Sequence, residues 1–103
     1  MYIYNVTVNI EETAHDMWLD WMKNEHIPDM LATKKFSKAL MTRVLVKEEM
    51  GGYTYSIQYT TDSKETLDRY YEEDAIELQA KTNRFVGKFV AFRTELEIIS
   101  EQY

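Results

Sequence analysis

The sequence predicts an α+β fold in the order β-α-β-β-α-β, and three observations carry that prediction. Both ends of the chain alternate in character with a period of two, from Tyr2 to Ile10 and from Val90 to Ile98. A Gly51-Gly52 pair separates two segments rich in β-branched, aromatic and long apolar residues, as a hairpin requires. Two stretches of helical period fill the intervals, one around Trp18 to Met22 and one from Leu67 to Phe85.

In the first strand Tyr2, Tyr4, Val6, Val8 and Ile10 alternate with Ile3, Asn5, Thr7 and Asn9, whose side is mostly polar but uncharged. Thr13-Ala14-His15-Asp16 reads as a capping box with Asp in place of Glu. A helix follows from about Ala14 to His26, with Glu11 and Glu12 at its positive end. Pro28 is expected to stop it and to open a short second helix, Pro28 to Ala32. Phe36 to Val46 is the second strand, Glu49-Met50-Gly51-Gly52 the turn, and Tyr53 to Thr61 the third strand. The third strand sets Tyr53, Tyr55, Ile57 and Tyr59 on one side and Thr54, Ser56, Gln58 and Thr60 on the other. Asp62 or Ser63 caps a second long helix that Gly87 ends. In the last strand Val90, Phe92, Thr94, Leu96 and Ile98 alternate with Ala91, Arg93, Glu95 and Glu97. With right-handed crossovers this order gives a ferredoxin-like split βαβ fold, helices on one face of a four-stranded antiparallel sheet. Val6, Val8, Ile57, Phe92 and Leu96 are expected toward the helices. Asn5, Thr7, Ser56, Gln58, Arg93 and Glu95 are expected on the other face. Strand two presents either Met41 and Arg43 or Leu40, Thr42 and Val44 to the helices.

The 103 residues suit one domain, 1–103, with one modest core. Aromatic residues make up 14%, including 8 Tyr and 2 Trp, more than so small a core needs, and the surplus points to a subunit interface or an apolar pocket. A net charge of -6 repels phosphate backbones and anionic membranes, so neither nucleic acid nor membrane is an expected partner. Without cysteine there are no disulfides, thiolate zinc sites or thiol nucleophiles. The first ten residues alternate instead of forming the apolar run of a signal peptide, and no segment reaches membrane-spanning length, so a cytoplasmic protein is expected.

Chemistry concentrates where Trp18, Trp21, Met22 and His26 share a helix face. His26 can act as a general base or donate a hydrogen bond to a substrate; alternatively its ring caps the helix C-terminus. Trp18 and Trp21 either wall a pocket for an apolar ligand or form the helix's core stripe, with Trp21 the nearer to His26. His15 lies about 16 Å from His26 along a helix, too far to share a metal, and reads as a solvated first-turn residue. Glu72-Glu73-Asp74 reads as a solvated face, and of Tyr70-Tyr71 one ring belongs to the core and one to the surface. Asn5, Thr7, Gln58 and Arg93 form a hydrogen-bonding surface. If a second subunit covers it, these groups must pair with each other, with water or with a ligand. Arg93 then either pairs with Glu95 across the interface or holds an anion. No phosphate loop, nucleophile elbow or dinucleotide fingerprint is present, and neither a cofactor nor a metal is expected.

The element order and Trp21-Met22-Lys23-Asn24-Glu25-His26-Ile27-Pro28 resemble the dimeric α/β-barrel superfamily, which includes EthD-like and antibiotic-biosynthesis-monooxygenase-like proteins. Over nearly its whole length the chain is similar to a family of small bacterial proteins of unknown function, through Tyr4-Asn5-Val6-Thr7-Val8-Asn9, His26-Ile27-Pro28-Asp29, Gly51-Gly52-Tyr53-Thr54-Tyr55-Ser56 and Val90-Ala91-Phe92-Arg93-Thr94-Glu95-Leu96. The resemblance implies a homodimer whose two sheets pack face to face, with a pocket in each subunit between sheet and helices. The superfamily hosts oxygenases, haem-degrading enzymes, isomerases and binding proteins, so the fold does not choose among them. Three readings follow. One is a dimer that binds a small, partly apolar molecule. The second is a cofactor-independent oxygenase or isomerase with His26 as base and Trp21 as pocket wall. The third is a protein–protein interaction module.

Overall fold

A computed structural model describes residues 1–46 and 51–103. Its strands are β1 (Tyr2–Ile10), β2 (Lys38–Arg43), β3 (Tyr53–Thr61) and β4 (Phe89–Glu97). They form one antiparallel sheet in the order β2-β3-β1-β4, so β1 and β3 are central and β2 and β4 are edges. Helices α1 (His15–Trp21), α2 (Ile27–Ala32), α3 (Lys64–Glu73) and α4 (Ala75–Ala80) cover one face. The architecture is the ferredoxin-like one the element order predicts. The sheet is open.

The alternation of β1 and β3 becomes the core directly. Tyr4, Val8 and Ile10 face the helices together with Tyr55, Ile57 and Tyr59, all buried. On β2, pairing with Ile57 and Tyr59 turns Met41 and Ala39 the same way, which settles its facing and leaves Leu40 outside. β2 is shorter than expected. Phe36 precedes it as a buried core ring, packed against Tyr4, Tyr59 and Tyr70. Gly51 and Gly52 both adopt positive φ, and a Cβ on Gly52 would sit 2.6 Å from the Ile10 carbonyl oxygen, so only glycine fits there. The Glu49 and Met50 part of the expected turn lies outside the described residues.

The facing of β4 is opposite to expectation. Its register pairs Val6 with Arg93 and Val8 with Ala91, placing Ala91, Arg93 and Glu95 on the helix face. Phe92 and Leu96 pair with Thr7 and Ile3 on the open face, where Phe92 is 68% exposed. As an edge strand β4 is only partly roofed by helices, so apolar character does not fix which side it turns inward. Arg93 and Glu95 therefore cannot form the expected ion pair across the open face. Glu95 instead takes the Lys64 ammonium at 2.7 Å and the Tyr71 hydroxyl at 2.8 Å.

Three local expectations also change. The Thr13 hydroxyl bonds to Glu11 and no side chain caps the first helix, so the capping box does not form. The second long helix does start at Ser63, whose Oγ accepts from Thr66 N–H, but it breaks at Asp74 before α4. There the Asp74 carboxylate takes the buried Lys35 ammonium at 2.6 Å, with Glu73 at 3.7 Å, so this part of the acidic run is an ion-pair anchor for the α2–β2 connection. Gly87 ends the tail at positive φ, as expected.

Candidate functional site

The site is built on a helix that does not stop at Pro28. Proline has no N–H to donate and its ring crowds the carbonyl four residues back. The chain meets this with a π-helical turn over Met22–His26, in which the Ile27 N–H reaches the Met22 carbonyl five residues back. Ile27 and Pro28 then continue into α2 with helical backbone angles at Ile27. In a regular α-helix residues five apart lie about 140° around the axis. The wide turn brings Trp21 and His26 into register instead, and their rings stack at 4.7 Å with 22° between planes. His26 thus sits inside a helical run, and the alternative in which its ring caps a helix C-terminus does not arise.

Beneath this turn, between helices and sheet, is a cavity of about 40 Å³. Trp18, Trp21, Met22 and Phe85 supply apolar walls, with Val6, Val8 and Ile57 as the floor. Polar groups converge on it from five elements: Tyr4 from β1, His26 from the π turn, Tyr70 from α3, Gln79 from α4 and Arg93 from β4. A water needs roughly 10–15 Å³ of such volume, so the cavity holds a few water-sized groups as it stands.

Burial, opposed by Asp29 and assisted by Lys81 and Arg93, lowers the His26 imidazole from its ordinary value to about 4. The ring is therefore neutral at pH 7, and its Nδ1 is buried without a hydrogen-bond partner among the described residues. Burial also raises the Tyr4, Tyr59 and Tyr70 phenols, all of which stay protonated. Arg93, Gln79 and Tyr70 each come within hydrogen-bonding reach of the Tyr4 hydroxyl. Tyr70 also points its hydroxyl at Met30 Sδ, 3.4 Å away, a weak acceptor. Donors outnumber good acceptors at this end of the cavity.

The residues singled out from the sequence divide between the two faces. Trp21, His26 and Arg93 meet at the cavity, and Trp18 joins them. Asn5, Thr7 and Gln58 lie on the open face and line no part of it. There Ser56 Oγ donates to Asn5 Oδ1 at 2.7 Å, and Asn5 Nδ2 donates to Thr7 Oγ1 at 3.1 Å. Tyr4, Tyr70 and Gln79 carry no sequence signal as site residues because they approach the cavity from elements distant in sequence. For Tyr70, the one local hint was the expectation that one of the Tyr70-Tyr71 rings is core.

His15 is not solvated as expected. Its Nε2 lies 2.6 Å from the Tyr55 hydroxyl and its Nδ1 3.1 Å from Asp16, and its ring packs on Tyr53 at 4.2 Å. It pins the start of α1 to β3. Among the described residues no group of three or more His, Cys, Asp or Glu is placed to hold a metal ion.

Residues 1–99 match the family model described as a domain of unknown function, DUF4286. No curated protein matches in sequence. Solved structures show the same fold at low identity. A dimeric ferredoxin-like protein from an uncultured marine organism superposes with a TM-score of 0.72 at 12% identity, over 98% of this chain and 97% of that one. An ethyl tert-butyl ether D (EthD) family protein from Bacillus halodurans gives 0.67 at 18% identity, over 96% and 100%. SnoaB, a cofactor-independent oxygenase from Streptomyces nogalater, gives 0.67 at 6% identity, over 97% and 94%.

Proposed function

The chain belongs to the DUF4286 family of unknown function, and from that starting point we propose that it works as a homodimer that binds a small, partly apolar molecule in the cavity between sheet and helices. One observation carries the binding reading: apolar walls enclose a cluster of polar groups in which the buried Nδ1 of His26 has no partner among the described residues. A buried polar atom without a partner costs free energy that a ligand can return. A screen of small fragments by two-dimensional NMR tests this. Hits should shift the amides of β1 and of the Met22–His26 turn. A screen whose hits all map elsewhere overturns the reading.

The dimer half of the proposal rests on the open face. Its centre is polar but already hydrogen-bonded within itself, so covering it leaves few orphaned groups. Its flanks carry exposed Leu40, Val90, Phe92 and Leu96. The marine relative with this fold is described as dimeric. Sedimentation should give a dimer, and Phe92→Asp should give a folded monomer. A wild-type monomer at high concentration refutes this half.

A second reading, catalysis with His26 as general base, has the stacked Trp21–His26 pair in its favour. An imidazole near 4 is always ready to accept a proton at neutral pH, but it is a weak base, well below the value that serves proton abstraction best. Binding is therefore the better-supported function.

A further inference from the structure

We infer that the molecule held in the cavity is a compact monocarboxylate whose anionic oxygens are received by Arg93 with help from Tyr4 and Gln79; this deepens the binding reading and rests on it. The first support is a missing partner. Glu95 stands two residues along the same face of β4 and is the natural counter-ion for Arg93, yet it is taken by Lys64 at 2.7 Å and Tyr71 at 2.8 Å. Among the described residues no carboxylate lies within salt-bridge distance of Arg93, in a chain with 18 acids and a net charge of -6. Arg93 is also the only charged side chain lining the cavity among them.

The second support is the kind of hydrogen-bonding group present. A guanidinium carries five N–H donors and accepts nothing, and its planar fork matches a carboxylate. Around it the Tyr4 hydroxyl and the Gln79 amide add further donors. The complement of such a set is an acceptor-only group with one negative charge. A dianion would leave half its charge uncompensated beside apolar walls, which is costly. The third support is size. A cavity of about 40 Å³ admits only a few heavy atoms without rearrangement, and its remaining walls are aromatic and aliphatic, so the carboxylate is attached to a short apolar body.

The test compares sodium butyrate with butyramide, its uncharged isostere, by amide-shift titration of the isotope-labelled wild type and of Arg93→Gln. Butyrate should shift amides near Tyr4 and along Met22–His26 and bind about tenfold more tightly than butyramide, the scale of one hydrogen bond to a charged group. Arg93→Gln, at an exposed position, should keep a dispersed spectrum and lose that preference, with butyrate binding no more tightly than butyramide. Equal binding of the two probes to the wild type, mapped to the cavity, overturns the carboxylate inference and leaves the binding reading standing. Shifts from neither probe also overturn it, and the fragment screen then decides the binding reading on its own.

Discussion

The two faces of this sheet solve the problem of buried polarity in different ways. On the open face the polar groups are uncharged amides and hydroxyls that satisfy one another: Ser56 to Asn5, Asn5 to Thr7, Asn9 to Thr54. On the helix face they are titratable or cationic, namely Tyr4, Tyr70, His26 and Arg93, and they converge on a cavity with too few acceptors. A self-satisfied surface with apolar flanks suits a flat macromolecular partner. A donor-rich hollow with a bare imidazole nitrogen suits a small one. The two environments lie within one sheet, on faces that alternate residue by residue along each strand.

The contrast breaks most visibly under truncation. Ile57 is wholly buried over the cavity floor, and Ile57→Ala should cost about 2–5 kcal/mol in urea unfolding. Leu40→Ala, at a position 54% exposed on the open face, should cost less than about 0.5 kcal/mol when measured on the monomeric Phe92→Asp background. Equal costs would mean that the two faces are not packed differently. Acid sharpens the contrast next, since only the helix face carries a group that titrates there. The unfolded imidazole takes its proton near 6.5 and folded His26 only near 4. Between those values the unfolded chain binds the extra proton, so the stability is complete above about pH 6.5 and is lost as pH falls toward 4. The full loss is about 3 kcal/mol. The difference between wild type and His26→Gln across that window isolates it from the carboxylates, and parallel pH profiles would contradict the burial of His26. A smaller effect than that of His26 belongs to the open face: Thr7→Ala removes the acceptor for Asn5 and should cost about 1 kcal/mol, with no change in the pH profile.

What the sequence made legible follows from what is local. The alternation of β1 and β3, the Ser63 cap and the Gly87 stop depend on neighbours within a few residues, and each appears where expected. The Trp21 and His26 half of the site was legible for the same reason. The facing of β4 is not legible because an edge strand has two half-covered sides, and only its register against β1 decides that Arg93 turns to the helix face. Helix continuity through Pro28 was hidden because it needs a change in hydrogen-bond register, not a change in residue pattern. The packing of His15 is not legible because its partner Tyr55 is 40 residues away. Gln79 and Tyr4 reach the cavity only once α4 is laid across β1.

The ring stacking of Trp21 on His26 has an optical consequence. A neutral imidazole quenches indole fluorescence weakly and a protonated one strongly, so Trp21 emission reports the charge of the ring beneath it. Trp21 should stay bright across the neutral range and dim only as the solution nears pH 4, a signal that Trp21→Phe removes while leaving Trp18 as the background. An anion seated beside His26 would favour its protonated form and move that dimming to higher pH. The chain therefore carries its own unlabelled indicator of whether the hollow is empty or filled.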